Sequence, residues 1–429
     1  MPYPQNAYRK TRIVCVSDTH NTTPPLPKGD VLIHAGDLTN QGSLSELQRA
    51  IAWIEKAPYE AKIIIGGNHD ITLDSKFYSE HGRFFHNQNL QSPAACHSLF
   101  QNSPSITYLN HSSAHIKLTN PNGPHTHFRV FGSPHVPEHG LWAFGYKPAE
   151  APQLWCAIPA NTDILVTHTP AATHCDASAV KGKGAGCEAL RQALWRLRPK
   201  LHVCGHQHEG RGAEKVRWKT DGDSVPRAED VLEERTEVWV DPGIGEGNRK
   251  MSLVDLTRRS AFCLDNFDDG DGYDGDGYDD EDGYDDEDDG AATVDEGERV
   301  IGDGNHVSSI KSGESGNMPS SAREVEGLKE VDESSCGEKV KAKLEYASSK
   351  KKDVSRVLAE RPKKMGNTTK ANTVETETKA HVGRLGRRET CIVNAAIMAN
   401  SWGGKKRFNK PIVVDVDLPV WEEGVAEAR

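Results

Sequence analysis

No stretch of this 429-residue chain approaches the roughly 20 consecutive apolar residues a membrane-spanning helix requires, so none is expected. The opening MPYPQNAYRKTR lacks an apolar core of signal-peptide length, so no secretory leader is expected there. Cysteine is sparse and unpatterned: nine residues, at 15, 96, 156, 175, 187, 204, 263, 336 and 391, with no CxxC pair. An odd count at irregular spacing argues for reduced thiols and an intracellular protein. The expectation is a soluble protein of the cytosol or nucleus, not secreted. Apolar residues are also scarce, at 36%, while the charged fraction of 27% is ordinary. A globular part diluted by a polar one would give that balance.

Basic residues are absent from 265–289, which hold fifteen Asp or Glu. That exceeds the chain's net charge of −11, so the remainder is slightly basic and the folded part is not acidic. The tract reads GDGYDGDGYDDEDGYDDEDDG, a low-complexity repeat. No register of it supplies D-x-[DN]-x-[DN]-G with Glu at the twelfth position, so an EF-hand is not supported. A Ser/Gly/Glu region follows, then Lys350–Lys352, Lys363-Lys364 and Arg387-Arg388. High charge, few apolar residues and no periodicity predict a disordered insertion over 263–388. Its Lys-rich part suits nucleic acid, nuclear import machinery or the acidic tract itself.

What the chain does have, through its first 220 residues, is an alternation of strand-like and helix-like segments. Arg12–Val16, Asp30–Ala35, Lys62–Ile65, Phe128–Gly132, Thr162–Thr167 and Leu201–Cys204 read as apolar strands. Ser43 to Lys56 reads as a helix capped by Ser43 with Glu46 at the capping-box offset, its apolar face formed by Leu44, Leu47, Ile51 and Ile54. Gly186 to Arg198 reads as an amphipathic helix with Leu190, Leu194 and Leu197 inward, stopped by Pro199. After the insertion, Cys391–Ala399 and Pro411–Leu418 look like two more strands. So short an apolar tail cannot form its own core. It is expected to return and complete the first domain, giving 1–262 and 389–429 as one domain and 263–388 as an insertion. Long surface loops add little closure entropy.

Polar residues gather where the apolar strands stop: Asp18-x-His20, Gly36-Asp37, Gly67-Asn68-His69-Asp70, His168 and Gly205-His206-x-His208. Open α/β sheets place ligands at such strand ends, so these groups are expected on one edge of one sheet. Mixed nitrogen and oxygen donors suit Mn, Fe, Zn or Co. A carboxylate can bridge two ions, and two ions a few ångströms apart can bind both the attacking and departing oxygens of a phosphoryl displacement. One HxH pair or one GD dipeptide is uninformative; the weight lies in five blocks in order, each after a strand.

The ordered set D-x-H, G-D, G-N-H-[DE], H and G-H-x-H resembles the calcineurin-like metallophosphoesterase superfamily over about residues 12–212. Within it, GSPHVPEHGLWAFGY (132–146), DILVTHTPAATHCD (163–176), RPKLHVCGHQHEGRG (198–212) and CIVNAAIMA…NKPIVVDVDLP (391–419) resemble the small metallophosphoesterase-domain proteins of animals and fungi. The resemblance implies a mixed α/β fold, a central two-sheet β-sandwich flanked by helices. It implies two divalent ions. Asp18, His20 and His208 would hold the first, Asn68, His168 and His206 the second, and Asp37 would bridge them. His69 would face the leaving-group oxygen and Asp70 would hold and polarise that imidazole. The implied activity is hydrolysis of a phosphodiester, a cyclic nucleotide among the candidates, by a hydroxide bridging the ions. Where relatives carry His-Gly-Pro-Pro this chain has His168-Thr169-Pro170-Ala171, placing a side chain near the second metal.

His174 and Asp176 either reach the substrate pocket or hydrogen-bond their own loop. His111, His115, His125 and His127 are expected to be solvated for the most part, and Leu141–Phe144 to pack over the sheet, with a substrate-stacking aromatic as the alternative. The expected partner is a small phosphoester. Competing readings are a weakly catalytic metal-binding scaffold that presents the charged insertion, a phosphomonoesterase and a nuclease. The last wants a basic face that the folded part does not show in sequence.

Overall fold

Apolar runs bounded by turn residues become the strands of two sheets. The computed structural model describes residues 8–178, 184–219, 230–241, 251–266, 387–399 and 407–421. The first eight strands are β1 (Tyr8–Val16), β2 (Val31–Ala35), β3 (Ala61–Ile65), β4 (Ile106–Leu109), β5 (Ser112–Lys117), β6 (His127–Ser133), β7 (Val136–Pro137) and β8 (Gly145–Tyr146). Then come β9 (Ile164–Thr167), β10 (Leu201–Cys204), β11 (Gly212–Trp218), β12 (Glu233–Val238), β13 (Ser252–Asp255), β14 (Glu389–Asn394) and β15 (Ile412–Pro419). The helices are α1 (Leu44–Lys56), α2 (Ser75–Phe85), α3 (Pro93–Gln101), α4 (Ala151–Cys156) and α5 (Glu188–Leu197). None is long and apolar enough to cross a membrane, among the described residues.

One sheet has the order β13-β15-β1-β2-β3-β4 and the other β12-β11-β14-β10-β9-β6-β5. Within the first, β1, β2, β3 and β4 run parallel, and β15 closes antiparallel against β1 with Ile13 opposite Val414. Within the second, β6, β9, β10 and β14 run parallel. The strands bury both faces, which is why they read as unbroken apolar runs rather than alternations. Ile13, Cys15, Ile33 and Ile63 meet Phe128, Val130, Ile164, Val203 and Val393 in the layer between the sheets. The opposite faces of the first sheet's strands, Val14, Leu32 and Ile64, pack under α1, α2 and α3. On the second sheet, Leu165 and Ile392 pack under α4 and α5 with Trp155, Leu190 and Leu194. Full burial of each such side chain contributes about 1.5–3 kcal/mol.

Local signals hold in detail. Ser43 accepts from Glu46 N, and the Glu46 carboxylate returns to Ser43 N, the reciprocal cap expected for α1. Helix α5 ends on Arg198 in the left-handed region (φ 48°), directly before Pro199. Three expectations need correction. The ligand-bearing strands belong to two sheets, not one. The strand expected over 391–399 stops at Asn394, and Ala395–Met398 instead bridge the sheets: Ala395 N donates to Cys204 O, Ile397 N to Ser17 O and Met398 N to Asp18 O. The expected insertion is also too wide at both ends, since Leu264 is buried in the core and Asn266 binds the start of β14. The Asn266 side-chain oxygen accepts from Arg388 N and Glu389 N (both 2.8 Å), and its amide donates to Glu389 O (2.9 Å). The acidic repeat from 267 on and the Lys-rich stretch lie outside the described residues.

Candidate metal centre

Parallel strands end at the same side of a sheet, so the loops after β1, β2 and β3 lie together, as do those after β9 and β10. The first group carries Asp18, His20, Asp37, Asn68 and His69; the second carries His168, His206 and His208. The sheets meet at these ends. The Asp18 carboxylate accepts from His206 N (3.1 and 3.0 Å), His168 Nδ1 donates to Ala35 O (2.8 Å), and Gly205 N donates to His168 O (3.1 Å). Two glycines permit this approach. A Cβ on Gly205 would strike Ser17 Oγ and the Asp18 carboxylate, and one on Gly67 would strike the Asp37 backbone and carboxylate. Asp18, His20, Asp37 and His206 have φ of 53°, 42°, 54° and 64°. That left-handed backbone costs an ordinary residue of order 1–3 kcal/mol, and such strain gathers at functional sites.

His208 Nε2 lies 3.3 Å from Asp18 Oδ1, and His20 Nε2 lies 3.7 Å from Asp37 Oδ2. His168 Nε2 lies 3.3 Å from the same Asp37 oxygen and 3.2 Å from Asn68 Oδ1. Asp18, His20 and His208 form one set of donor atoms within 4.8 Å, Asp18, Asp37 and His168 a second, and His20, Asp37 and His69 a third. Asp18, Asp37, Asn68, His20, His168 and His208 are all buried. His206 stands beside them, its ring centroid 5.1 Å from that of His168.

The donor set fits a pair of divalent cations. Nδ1 of His168 donates to Ala35 O, and its Nε2 stands against two oxygens, Asn68 Oδ1 and Asp37 Oδ2. A proton or a cation suits the space between these three atoms. Nε2 of His20 is buried with no hydrogen-bond partner. Burial lowers the His20 and His206 pKa values to about 4 and about 3, outweighing the carboxylates nearby, so both rings are neutral donors. For His168 burial also lowers the pKa, but Asp37 outweighs it and raises the value to about 9: a proton takes the cation's place. Burial alone would raise Asp18 and Asp37; the surrounding imidazoles, led by His208 for Asp18 and His168 for Asp37, hold them well below the usual carboxylate range.

Asp70 does something other than expected. It does not hold the His69 ring. Its buried carboxylate accepts from Leu38 N (3.1 Å), Thr39 N (2.9 Å), Thr39 Oγ1 (2.7 Å) and Gly67 N (2.9 Å), knitting the Asp37 loop to the Asn68 loop. Burial and the nearby Asp37 raise its pKa to about 6 despite those donors. His69 Nδ1 instead pairs with Asn40 O (2.9 Å), and His69 N donates to Asp37 Oδ1 (2.8 Å).

His174 and Asp176 hydrogen-bond their own loop and its neighbours. His174 lies between Glu214 and Glu233, 3.0 Å from each, and Asp176 accepts from Thr173 N and Gly186 N. His115 pairs with His127 at 3.0 Å on exposed strand surface, while His111 and His135 share Ser133 Oγ at 3.1 Å each. Thr169 is fully buried next to the ligand His168. Two residues make contacts that the sequence reading did not assign. Asn394, the polar end of the apolar run CIVN, donates to Gln207 O (2.8 Å) and Cys175 O (3.0 Å), steadying the loop that bears His206 and His208. Trp142 lies against His69, with centroids 4.0 Å apart and planes at 34°.

Two sheets thus join at a knot of buried imidazoles and carboxylates, a candidate dinuclear metal centre. The family model for calcineurin-like phosphoesterases matches residues 11–210. A UPF0046 protein of Caenorhabditis elegans is 33% identical over 212 residues, 47% of this chain and 70% of that protein. Metallophosphoesterase domain-containing protein 1 of Homo sapiens is 36% identical over 222 residues, 49% of this chain and 65% of that one. A protein of Emericella nidulans named probable rhamnogalacturonate lyase C is 42% identical over 230 residues, 53% of this chain but 20% of its own length. The chain thus spans a fifth of that fungal relative and just under two thirds of the human one. It belongs to the calcineurin-like metallophosphoesterase superfamily.

Proposed function

We propose that this protein is a dinuclear metal-dependent phosphodiesterase acting on a small phosphoester, with cyclic nucleotides among its candidate substrates. The observation that carries the reading is the position of Asp37. One carboxylate oxygen lies 3.7 Å from His20 Nε2 and 3.3 Å from His168 Nε2, between the two donor clusters, as a bridging ligand must. Two bound divalent cations, with manganese a natural trial ion for this donor set, would supply an acidified water and positive charge for the phosphoryl oxygens. Asp18, His20 and His208 would hold one and Asn68, His168 and His206 the other. His69 is half-buried at the rim, its Nδ1 engaged by Asn40 O, so its other nitrogen is the one left to serve a substrate. A proton donor there helps most when the departing group is a poor one, such as the alkoxide of a diester. Eight free thiols among the described residues support a reducing, intracellular setting.

The test loads the purified chain with Mn²⁺. It is then offered a 4-nitrophenyl phosphodiester, the matching monoester, cyclic nucleotides and single-stranded DNA, beside the variant His69→Ala. Hydrolysis of a diester with an alkoxide leaving group, as in a cyclic nucleotide, is expected to fall about 100-fold or more in the variant with unchanged metal content, from the loss of a general acid, while the 4-nitrophenyl diester is affected far less. Equal rates on the alkoxide diester in variant and wild type would overturn the reading and leave a metal-binding scaffold. Preference for the monoester would make the protein a phosphatase.

A further inference from the structure

We infer that Trp142 is a positioning residue that sets the His69 imidazole for proton transfer to the leaving group, an inference that rests on the phosphodiesterase reading above. The His69 main chain is fixed by the bond from its N–H to Asp37 Oδ1, but a half-buried imidazole can still swing about its side-chain torsions. Three contacts restrain the ring. Asn40 O holds Nδ1 at 2.9 Å, the His20 ring meets it edge-on at 4.8 Å and 90°, and the Trp142 ring covers it at 4.0 Å and 34°. Of the three, only the indole supplies a broad face.

Trp142 is itself held by a strap. Ala143 N donates to Asn68 O (3.3 Å), so the residue after the tryptophan is pinned to the residue before the histidine. Phe144, in left-handed backbone at φ 57°, donates its N–H to Asp74 Oδ2 (2.9 Å) and accepts from Val136 N (3.0 Å). The Phe85 ring of α2 packs on the indole at 5.5 Å. The strap therefore moves with the loop bearing the metal ligand Asn68, and the indole carries that register to His69. In the step concerned, the P–O bond to the leaving group breaks and its electron pair goes to the departing oxygen. That oxygen takes the proton carried on His69 Nε2, Nδ1 keeping its own toward Asn40 O, while an incoming water oxygen forms the new bond to phosphorus and gives up a proton to solvent. Sub-ångström alignment of donor and departing oxygen governs such a transfer.

The experiment compares two diesters that share one substituent, the other being 4-nitrophenyl in the first and a simple alkyl group in the second. A 4-nitrophenolate departs without protonation; an alkoxide does not. Trp142→Ala is expected to lower kcat on the alkyl diester about 10-fold or more. It should change kcat on the 4-nitrophenyl diester less than about 3-fold, with KM and metal content held in both. Trp142→Phe, which keeps an aromatic face, should recover most of the loss. In a His69→Ala background, removal of the indole should have no further effect. Equal losses on both esters, or a loss that persists without His69, would show a merely structural tryptophan and overturn the inference. A wild type that cleaves the 4-nitrophenyl diester while Trp142→Ala matches it on both esters overturns this inference alone. A wild type that cleaves no diester overturns the function and this inference with it.

Discussion

Asp70 and His69 are neighbours in sequence with different tasks. A carboxylate beside an imidazole in sequence suggested an orienting pair, but the turn at Asn68 sends the two side chains apart. The same carboxylate takes four donors from the loops on either side of the ligands. Asp70→Asn should therefore act on the scaffold: an amide nitrogen would replace one acceptor oxygen and face backbone or hydroxyl donors. A loss of about 2–4 kcal/mol is expected from two stranded donors. It should be read as a lower melting temperature and weaker metal uptake, whereas an orienting role would lower kcat with folding untouched. That these residues would gather was legible in the sequence, because Asp18, Asp37, Asn68, His168 and His206 each follow an apolar strand within three positions. What each neighbour touches was not, since the partners of Asp70, His69 and Asn394 come from distant segments.

Elements explain the rest of that gap. Strand β14 pairs with β10 and β11, and β15 with β1 and β13, across the whole of 267–386. Nothing local in CIVN or PIVVDVDLP states which sheet each joins, so the division of ligands between two sheets could not be read from periodicity. Between elements lies the His174 clamp, which ties the loop after β9 to β11 and β12. Burial lowers the His174 pKa, but hydrogen bonds to Glu214 and Glu233 outweigh it and raise the value above 6.5. Burial raises the two glutamates, but His174, with Arg191 helping at Glu233, brings both below 4.5. A raised histidine contributes stability that is complete below its unfolded pKa and is lost as pH rises through the folded one. The lowered carboxylates contribute stability that is present above their unfolded pKa and is lost as pH falls. The clamp is thus strongest between about pH 4.5 and 6.5. The melting-temperature deficit of His174→Gln should be greatest there, about 2 kcal/mol in stability, and should shrink toward alkaline pH. A deficit that grows with pH would mean the histidine is neutral in the fold.

For the whole molecule, the two sheets are joined at their ends by a cluster whose carboxylates, Asp18 and Asp37, want cations. Chelation should loosen that junction. Ligand binding stabilises the folded state by about 2.7 kcal/mol at a hundred times the dissociation constant. For a folded part of this size, Mn²⁺ should then raise the melting temperature by roughly 5–10 °C over a chelated sample. The rise should fade on acidification as neutral imidazoles take up protons. No difference between the two samples at neutral pH would mean that the cluster takes no metal. The Asn266 side chain adds a consequence of another kind. By clasping the backbone of Arg388 and Glu389, it brings the departure and re-entry points of 267–386 to one spot on the sandwich surface. We propose that one domain is interrupted there as by a stitched seam: inheritance can lengthen, shorten or rewrite the text between the stitches while the fabric on either side stays whole.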